Sequence, residues 1–449
     1  MLALVLAVAA LATATPQELT VTASDGVPLA CALVEPDGTP PAGGWPAVIL
    51  FHGLGGTHQD MEPIATQTLA PAGFASLMCD ARGTGASGGQ FGLDGPREDQ
   101  DAADLYNWLA ARPEISDTEI GALGISLGGG AVWNAVTAGV PFKAIVPEIT
   151  WTNLQASLAP QGVVKTELVG LLAALTPPSR WDPALLADAQ SLAQGTVTPE
   201  AAATSAARSS AARLASIAVP TLLVQGRHDF LFDIDQAEAA YDALTGPKEL
   251  YIGDVGHVPA TNPPAEAPTY LRLVVQWFDR YLKGEGSTGS GVVLAHDPWD
   301  GKTTAYPSLP PTKKTSVALP GTATIGPDGK VVRGARITGG PHETFGDSTL
   351  TVHYSGAKSW DHLVAVLSVA GAPTAISTGA VRIAAASGVA TIRFPNESVL
   401  AAAGARFVVT LAATSGNTPV YATGVAPGAS ITIGRATLAL SVLKRAVSR

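Results

Sequence analysis

The sequence predicts an α/β core built on a mostly parallel sheet, interrupted by a helical insertion and followed by an all-β C-terminal region. Three observations carry this. Near-continuous Val/Ile/Leu runs alternate with helical patterns over residues 15–150 and again over 218–285, as expected of strands covered on both faces. Between them, residues 151–217 turn Ala-, Leu- and Ser-rich and the strand signals stop. After GEGSTGSG at 284–291, short alternating runs are separated by Gly, Pro and Asp turns, so residues 286–449 read as a β sandwich or jelly roll.

Taken in order, QELTVTASDG and VPLACALVEP read as two strands around the Asp25-Gly26 turn. WPAVILFHGLGG is a buried strand ending in His52-Gly53, and FASLMCDARGTGASGG is another that runs into a glycine-rich loop. EDQDAADLYNWLAARPEI spaces its apolar residues helically, with acids in the first turn. IGALGISLGGG then reads as strand, tight turn and helix start, and FKAIVPEIT as a strand. Beyond the insertion come a strand (VPTLLVQGRHD), a helix (FDIDQAEAAYDAL), a strand (KELYIGDVGH) and a closing amphipathic helix (PTYLRLVVQWFDRYLKG).

Composition excludes some classes of function. At a net charge of -10 there is no basic patch to neutralise phosphates, so nucleic acid is not an expected partner. No metal-ligand cluster, P-loop or dinucleotide fingerprint is present, and neither metal nor cofactor is expected. Residues 1–14, MLALVLAVAALATA, resemble the apolar stretch and A-x-A end of an export signal cleaved after Ala14, which predicts a secreted or periplasmic protein. That run is too short to span a bilayer, and nothing after it reads as transmembrane. An exported chain permits a disulfide between Cys31 and Cys79, but two buried thiols fit the same runs. Oligomeric state leaves no mark on the sequence.

Gly124-Ile125-Ser126-Leu127-Gly128 is a G-x-S-x-G pentapeptide at a strand-to-helix turn, which would leave Ser126 exposed at the apex. A serine hydroxyl is a weak nucleophile and needs a base that is itself held by a third group. In chains with this turn the acid and then the histidine follow the serine. Asp229 ends the strand VPTLLVQG at the sheet edge where Ser126 sits, and His257 ends the next strand. Asp233 reads as a helix cap or lid contact, and His228 as a neighbour of the acid. Ser87 reads as part of a tight turn, and His296, His342, His353 and His362 as surface or turn residues. The oxyanion donors expected are the backbone N–H groups of Leu127 and of Leu54, the latter in the loop His52–Gly56 that His52 would orient. Trp151 and Trp181 bracket the start of the insertion, where they would line a substrate pocket or pack in a core.

FHGLGG, RGTGASGG, GISLGGG, GRHD and GH occur in this order, and with them the chain resembles an α/β-hydrolase. Arg82–Gly88, the helix end NWLAARPEI and YPSLPP before the all-β tail are more narrowly similar to the cocaine esterase / X-prolyl dipeptidyl peptidase (S15) group. The resemblance is strong over 45–285 and weak over 290–449. It implies an α/β-hydrolase core, a helical cap and a C-terminal jelly-roll domain. A tyrosine commonly helps fill the oxyanion hole in that group, and here Leu54 takes the position, which favours a hole of two backbone donors as in general esterases. The leading expectation is a secreted serine hydrolase acting on small-molecule or polymeric carboxylic esters through an acyl-enzyme. The alternatives are an amidase or peptidase of the X-prolyl type, and a binding protein whose β domain docks carbohydrate or polymer.

Overall fold

The computed structural model describes residues 14–444, so the expected export signal lies outside the described residues save for Ala14. Its largest element is a ten-stranded sheet in the order β1-β2-β4-β3-β5-β6-β7-β8-β9-β10. These strands are β1 (Gln17–Thr22), β2 (Pro28–Val34), β3 (Trp45–Phe51), β4 (Ala75–Cys79), β5 (Ile115–Ile125), β6 (Ile145–Glu148), β7 (Thr221–Gly226), β8 (Lys248–Gly253), β9 (Gly291–Ala295) and β10 (Thr303–Tyr306). From β4 through β9 the neighbours pair in parallel. The core helices are the single turn α1 (Glu62–Ile64), then α2 (Pro96–Ala110), α3 (Leu127–Thr137), α8 (Ile234–Ala243) and α9 (Ala267–Phe278).

Strand residues alternate between two apolar cores, one on each face of the sheet. Along β8, Leu250 and Ile252 join Leu105, Trp133 and Tyr241 of α2, α3 and α8, whereas Tyr251 joins Trp277 and Phe278 of α9. Cys31 and Cys79 face each other across the antiparallel β2–β4 pair and form a disulfide. Among the described residues no helix is long and apolar enough to cross a membrane.

The insertion between β6 and β7 forms a cap of α4 (Leu154–Leu158), α5 (Thr166–Ala173), α6 (Pro183–Ala193) and α7 (Pro199–Ala207). The last two start alike for a local reason. Asp182 and Thr198 accept from N–H groups of the first turn, and a proline follows each where its missing N–H costs nothing.

The C-terminal part begins at β11 (Thr312–Leu319), and this corrects the reading that placed everything from 286 in it. β9 pairs in parallel with β8 and β10 antiparallel with β9, so both belong to the large sheet. A short apolar run such as GVVLA suits either sheet, and the open edge of β8 decides. Beyond it lie β12 (Ala323–Ile325), β13 (Val331–Arg336), β14 (His342–Glu343), β15 (Ser348–Lys358), β16 (His362–Val369), β17 (Ala375–Arg382), β18 (Gly388–Phe394), β19 (Leu400–Ala401), β20 (Arg406–Ala412) and β21 (Ser430–Leu443). One antiparallel sheet runs β11-β21-β15-β18, with β12 also on β21, and the other runs β13-β20-β16-β17. Their inner faces share one core, with Leu350 and Leu438 against Leu363 and Val409. The other face of β16 is buried too: Val364 and Val366 join the cap's apolar cluster, so cap and sandwich pack as one body.

Candidate active site

Parallel register brings the site together. Phe51 at the end of β3 lies beside Gly124 of β5, and Gly226 of β7 lies beside Gly253 of β8. The loops that follow these strands therefore emerge at one sheet edge. Ser126 turns from β5 into α3 at φ 56 and ψ −113, a conformation that L-residues avoid and that costs on the order of 1–3 kcal/mol. The turn requires its glycines: a Cβ on Gly124 would lie 2.0 Å from the Gly128 carbonyl oxygen, and one on Gly128 would lie 2.0 Å from that of Phe51. The Ser126 backbone is tied on both sides. Its N–H donates to the Glu148 carbonyl (2.9 Å), and its carbonyl accepts from Gly130 N–H (3.1 Å) and Thr150 Oγ1 (2.7 Å). Sequence reasoning singled out neither Glu148 nor Thr150, since a backbone clamp leaves no motif.

Ser126, His257 and Asp229 form one hydrogen-bonded row. Ser126 Oγ lies 2.9 Å from His257 Nε2, and His257 Nδ1 lies 2.7 Å from Asp229 Oδ2. Asp229 is fully buried and accepts two further bonds at Oδ1, from the N–H groups of Leu231 (2.9 Å) and Phe232 (3.0 Å). Its Oδ2 also accepts from His257 N–H (2.9 Å). Burial alone would push its carboxyl up; the charge and hydrogen bonds of His257, with the backbone donors, hold it below its ordinary value. On His257 the balance runs the other way: burial pushes the imidazole down, and the Asp229 carboxylate outweighs it and leaves the ring above its ordinary 6.5.

The neighbouring residues have other partners. His228 Nε2 donates to the Ala375 carbonyl (2.8 Å), and Asp233 stands at the N-cap of α8. Ser87 is buried in its turn, donating to the Asp80 carbonyl (2.7 Å) and accepting from Ala30 N–H (2.9 Å). His52 Nδ1 donates to the Gly53 carbonyl (2.8 Å) and its Nε2 accepts from Ala81 N–H (2.9 Å), which ties the loop carrying Leu54 to the end of β4. His362 departs from the surface reading: it is buried in the sandwich, with Nε2 on the Ala413 carbonyl (2.8 Å).

A cavity opens at Ser126, with Leu54, Leu127, Trp151 and Trp181 in its wall. The cap supplies the opposite side: Leu185, Asp188, Ala189 and Leu192 lie on one face of α6, as their helical spacing requires. Trp151 and Trp181 are core and wall at once. Their indole N–H groups donate to the Arg208 carbonyl (2.8 Å) and the Thr176 carbonyl (2.9 Å), while their rings pack on Phe232 and Phe91, each 5.2 Å away. Phe232 in turn meets His257 edge-on at 5.3 Å. Asp188 is the one ionisable side chain lining this cavity among the described residues, and it accepts from Thr204 Oγ1 (2.6 Å). Leu127 is the first residue of α3, where the N–H has no partner within the helix, and Leu54 lines the same cavity as Ser126.

Three sets of similarities bear on this arrangement. A CocE/NonD family hydrolase from Staphylococcus aureus superposes with a TM-score of 0.72 at 13% identity, covering 94% of this chain and 93% of that one. An aminopeptidase from a marine sediment Thaumarchaeota archaeon gives 0.72 at 13% identity (96% and 97% covered), and an alpha-amino acid ester hydrolase gives 0.67 at 14% (97% and 98%). At such identities these are likenesses of fold, and they extend over core, cap and sandwich. Among curated proteins, an uncharacterized 31.7 kDa protein from Escherichia coli is 33% identical over 109 residues, 24% of this chain; the chain spans 38% of that relative's length. The model of the X-Pro dipeptidyl-peptidase (S15) family matches residues 25–259, from the first turn to just past His257. With that match over more than half its length, the chain belongs to the X-Pro dipeptidyl-peptidase (S15) family, a family of hydrolases.

Proposed function

We propose that the protein hydrolyses carboxylic esters with an apolar acyl part, using Ser126, His257 and Asp229 as its triad. The carrying observation is the unbroken row from Ser126 Oγ to Asp229 Oδ2 at the mouth of an apolar cavity. Ser126 Oγ attacks the acyl carbon as His257 Nε2 takes its proton, and Asp229 stabilises the imidazolium through Nδ1–H. The oxyanion is received by the N–H groups of Leu54 and Leu127. The leaving alcohol then takes the proton from Nε2, the acyl group stays on Ser126, and water repeats the sequence in reverse.

The family's name raises a peptidase reading. A peptide's free amino end needs carboxylates to receive it, and among the described residues Asp188 is the one carboxylate in a wall that is otherwise almost wholly apolar, which favours esters. Short-chain and aromatic p-nitrophenyl esters should turn over faster than X-Pro anilides, and the reverse order would select the peptidase reading. The Ser126→Ala variant should fold, lose ester turnover and lose labelling by a fluorophosphonate probe; retained turnover would overturn the assignment. We also place the protein outside the cytoplasm. The Cys31–Cys79 disulfide supports an oxidising compartment, and sequencing the mature N-terminus for a start at Thr15 tests it.

A further inference from the structure

The loop that carries Asp229 is held largely from outside its own sheet. Three consecutive residues of the C-terminal sandwich, Asn396, Glu397 and Ser398, clasp it along its length. Ser398 N–H donates to the Arg227 carbonyl (2.7 Å), and Ile234 N–H donates to the Asn396 carbonyl (3.2 Å). Between them, Asp229 N–H donates to Glu397 Oε2 (2.9 Å). The Arg227 guanidinium, itself buried, locks the same segment from behind, with Nε on the Ser398 carbonyl (2.8 Å) and Nη2 on Ser398 Oγ (2.9 Å). From the cap, the buried Lys165 ammonium donates to the Phe230 carbonyl (2.7 Å) and the Leu231 carbonyl (3.3 Å).

The Glu397 contact differs in kind from the rest. It is a side-chain bond to the backbone N–H of the very residue whose carboxylate holds His257. That N–H is buried and needs an acceptor. The Asp229 carboxylate is already committed to four N–H donors, so its position follows its backbone closely. A displacement of the backbone at 229 is therefore felt at the 2.7 Å contact with His257 Nδ1. The charges around Glu397 fit an uncharged acceptor. Burial first, then the neighbouring Asp233 and Asp229, push its carboxyl well above the usual range, against the pull of Lys165. A neutral group there leaves Asp229 as the anion that faces the imidazole.

We propose that Glu397 is a positioning residue for the Ser126–His257–Asp229 row, so that the C-terminal sandwich completes the active site of this hydrolase as well as supporting its cap. The proposal rests on Asp229 being the catalytic acid. The groups that face this acid are His257 from the loop after β8, Glu397 from the sandwich and Asp233 from its own loop, and Lys165 from the cap acts on Glu397 and Asp233.

The test compares Glu397→Gln, Glu397→Met and Glu397→Asp with the unaltered full-length protein, using p-nitrophenyl ester kinetics across pH and thermal unfolding of each. Glutamine keeps an acceptor for Asp229 N–H, methionine fills the space without one, and aspartate withdraws the acceptor by one methylene. Glu397→Met should lower kcat roughly tenfold with KM changed by less than about twofold, and Glu397→Gln should restore kcat to within about twofold. In Glu397→Met the acid limb of the kcat/KM profile should move to lower pH, because a looser Asp229 holds less proton on His257. If the methionine variant does not fold, Glu397→Asp should show the same two changes. Unaltered kcat and acid limb in a variant that folds, even with a lowered Tm, would overturn the proposal and leave Glu397 a structural residue. Asp229→Ala measured alongside separates the two levels: full activity there would remove the triad reading itself, whereas collapse there beside an unaffected Glu397→Met would remove only this one.

Discussion

Replacing Asp229 with asparagine tests the proposed triad through a conflict the structure makes unavoidable. The buried carboxylate receives four N–H groups, those of Leu231 and Phe232 at Oδ1, and the backbone and Nδ1 of His257 at Oδ2. An asparagine has one carbonyl oxygen. If that oxygen faces His257, the amide NH2 points at two backbone donors. If it faces the loop, the NH2 points at His257, whose ring must then turn its lone pair to Nδ1 and its proton to Nε2, the atom that should accept from Ser126. One or two buried backbone donors are left unmet, depending on the orientation, at about 1–3 kcal/mol each, so the variant should lose about 1–6 kcal/mol of stability. Its kcat should fall on the order of 10⁴-fold, the scale set by holding a catalytic histidine in the wrong tautomer. Urea unfolding and p-nitrophenyl ester kinetics measure the two losses. The carboxyl titrates below its ordinary 3.8 in the folded protein, so its contribution is fully present above that value and is lost as pH falls through the lower folded value. The stability gap between wild type and variant should therefore close only in strong acid. A variant with more than about a tenth of wild-type kcat would refute the reasoning, because the one orientation that keeps an acceptor on His257 Nδ1 sets the amide NH2 against two backbone donors, and the other gives the wrong tautomer.

The other predictions concern pH, the pocket wall and the disulfide. Because His257 must be neutral to accept the serine proton and is held above 6.5, kcat/KM should fall as pH drops through a value above 6.5, and a flat profile down to pH of about 5 would exclude it as the base. In Gly130→Ala the new Cβ would lie 2.5 Å from Trp151 Cζ2 and 2.6 Å from Asp94 Oδ2. The indole must shift, so stability should drop by about 1–3 kcal/mol and KM for aromatic esters should rise more than kcat falls. The Cys31–Cys79 disulfide closes a separation of 48 residues. Reduction, or a double alanine variant, should cost up to about 4 kcal/mol by loop entropy, read as a fall in the urea midpoint.

The residues of the Ser126–His257–Asp229 row were easier to group from the sequence than the assembly around them. Ser126, Asp229 and His257 each follow an apolar run of a parallel strand, and such strands all end at one edge, so strand order was not needed to group them. The insertion stood out because strand signals stop at Trp151. What escaped was pairing between distant segments. The run GVVLA reads as a strand, but which sheet it extends depends on the edge that β8 presents. Glu397 lies 168 residues beyond Asp229 in a stretch, PNES, that looks like an ordinary turn. Its bond to the acid's backbone arises only because the sandwich folds back onto the core. Trp151 and Trp181 were given two readings, packing and substrate pocket; both are buried and both line the cavity at Ser126, so position in the fold does not separate the two.

The backbone at Ser126 has a consequence for how the protein can change. Its φ of 56 is tolerable to glycine and unfavourable to serine, and the surrounding clamp keeps it there. Stability and activity therefore pull this one position in opposite directions. On the proposed mechanism, Ser126→Gly would relax the turn and remove the nucleophile, giving an inert protein more robust than its active parent. Any screen that selects for heat resistance alone will drift toward that outcome, so laboratory evolution of this hydrolase has to keep turnover in the selection from the first round.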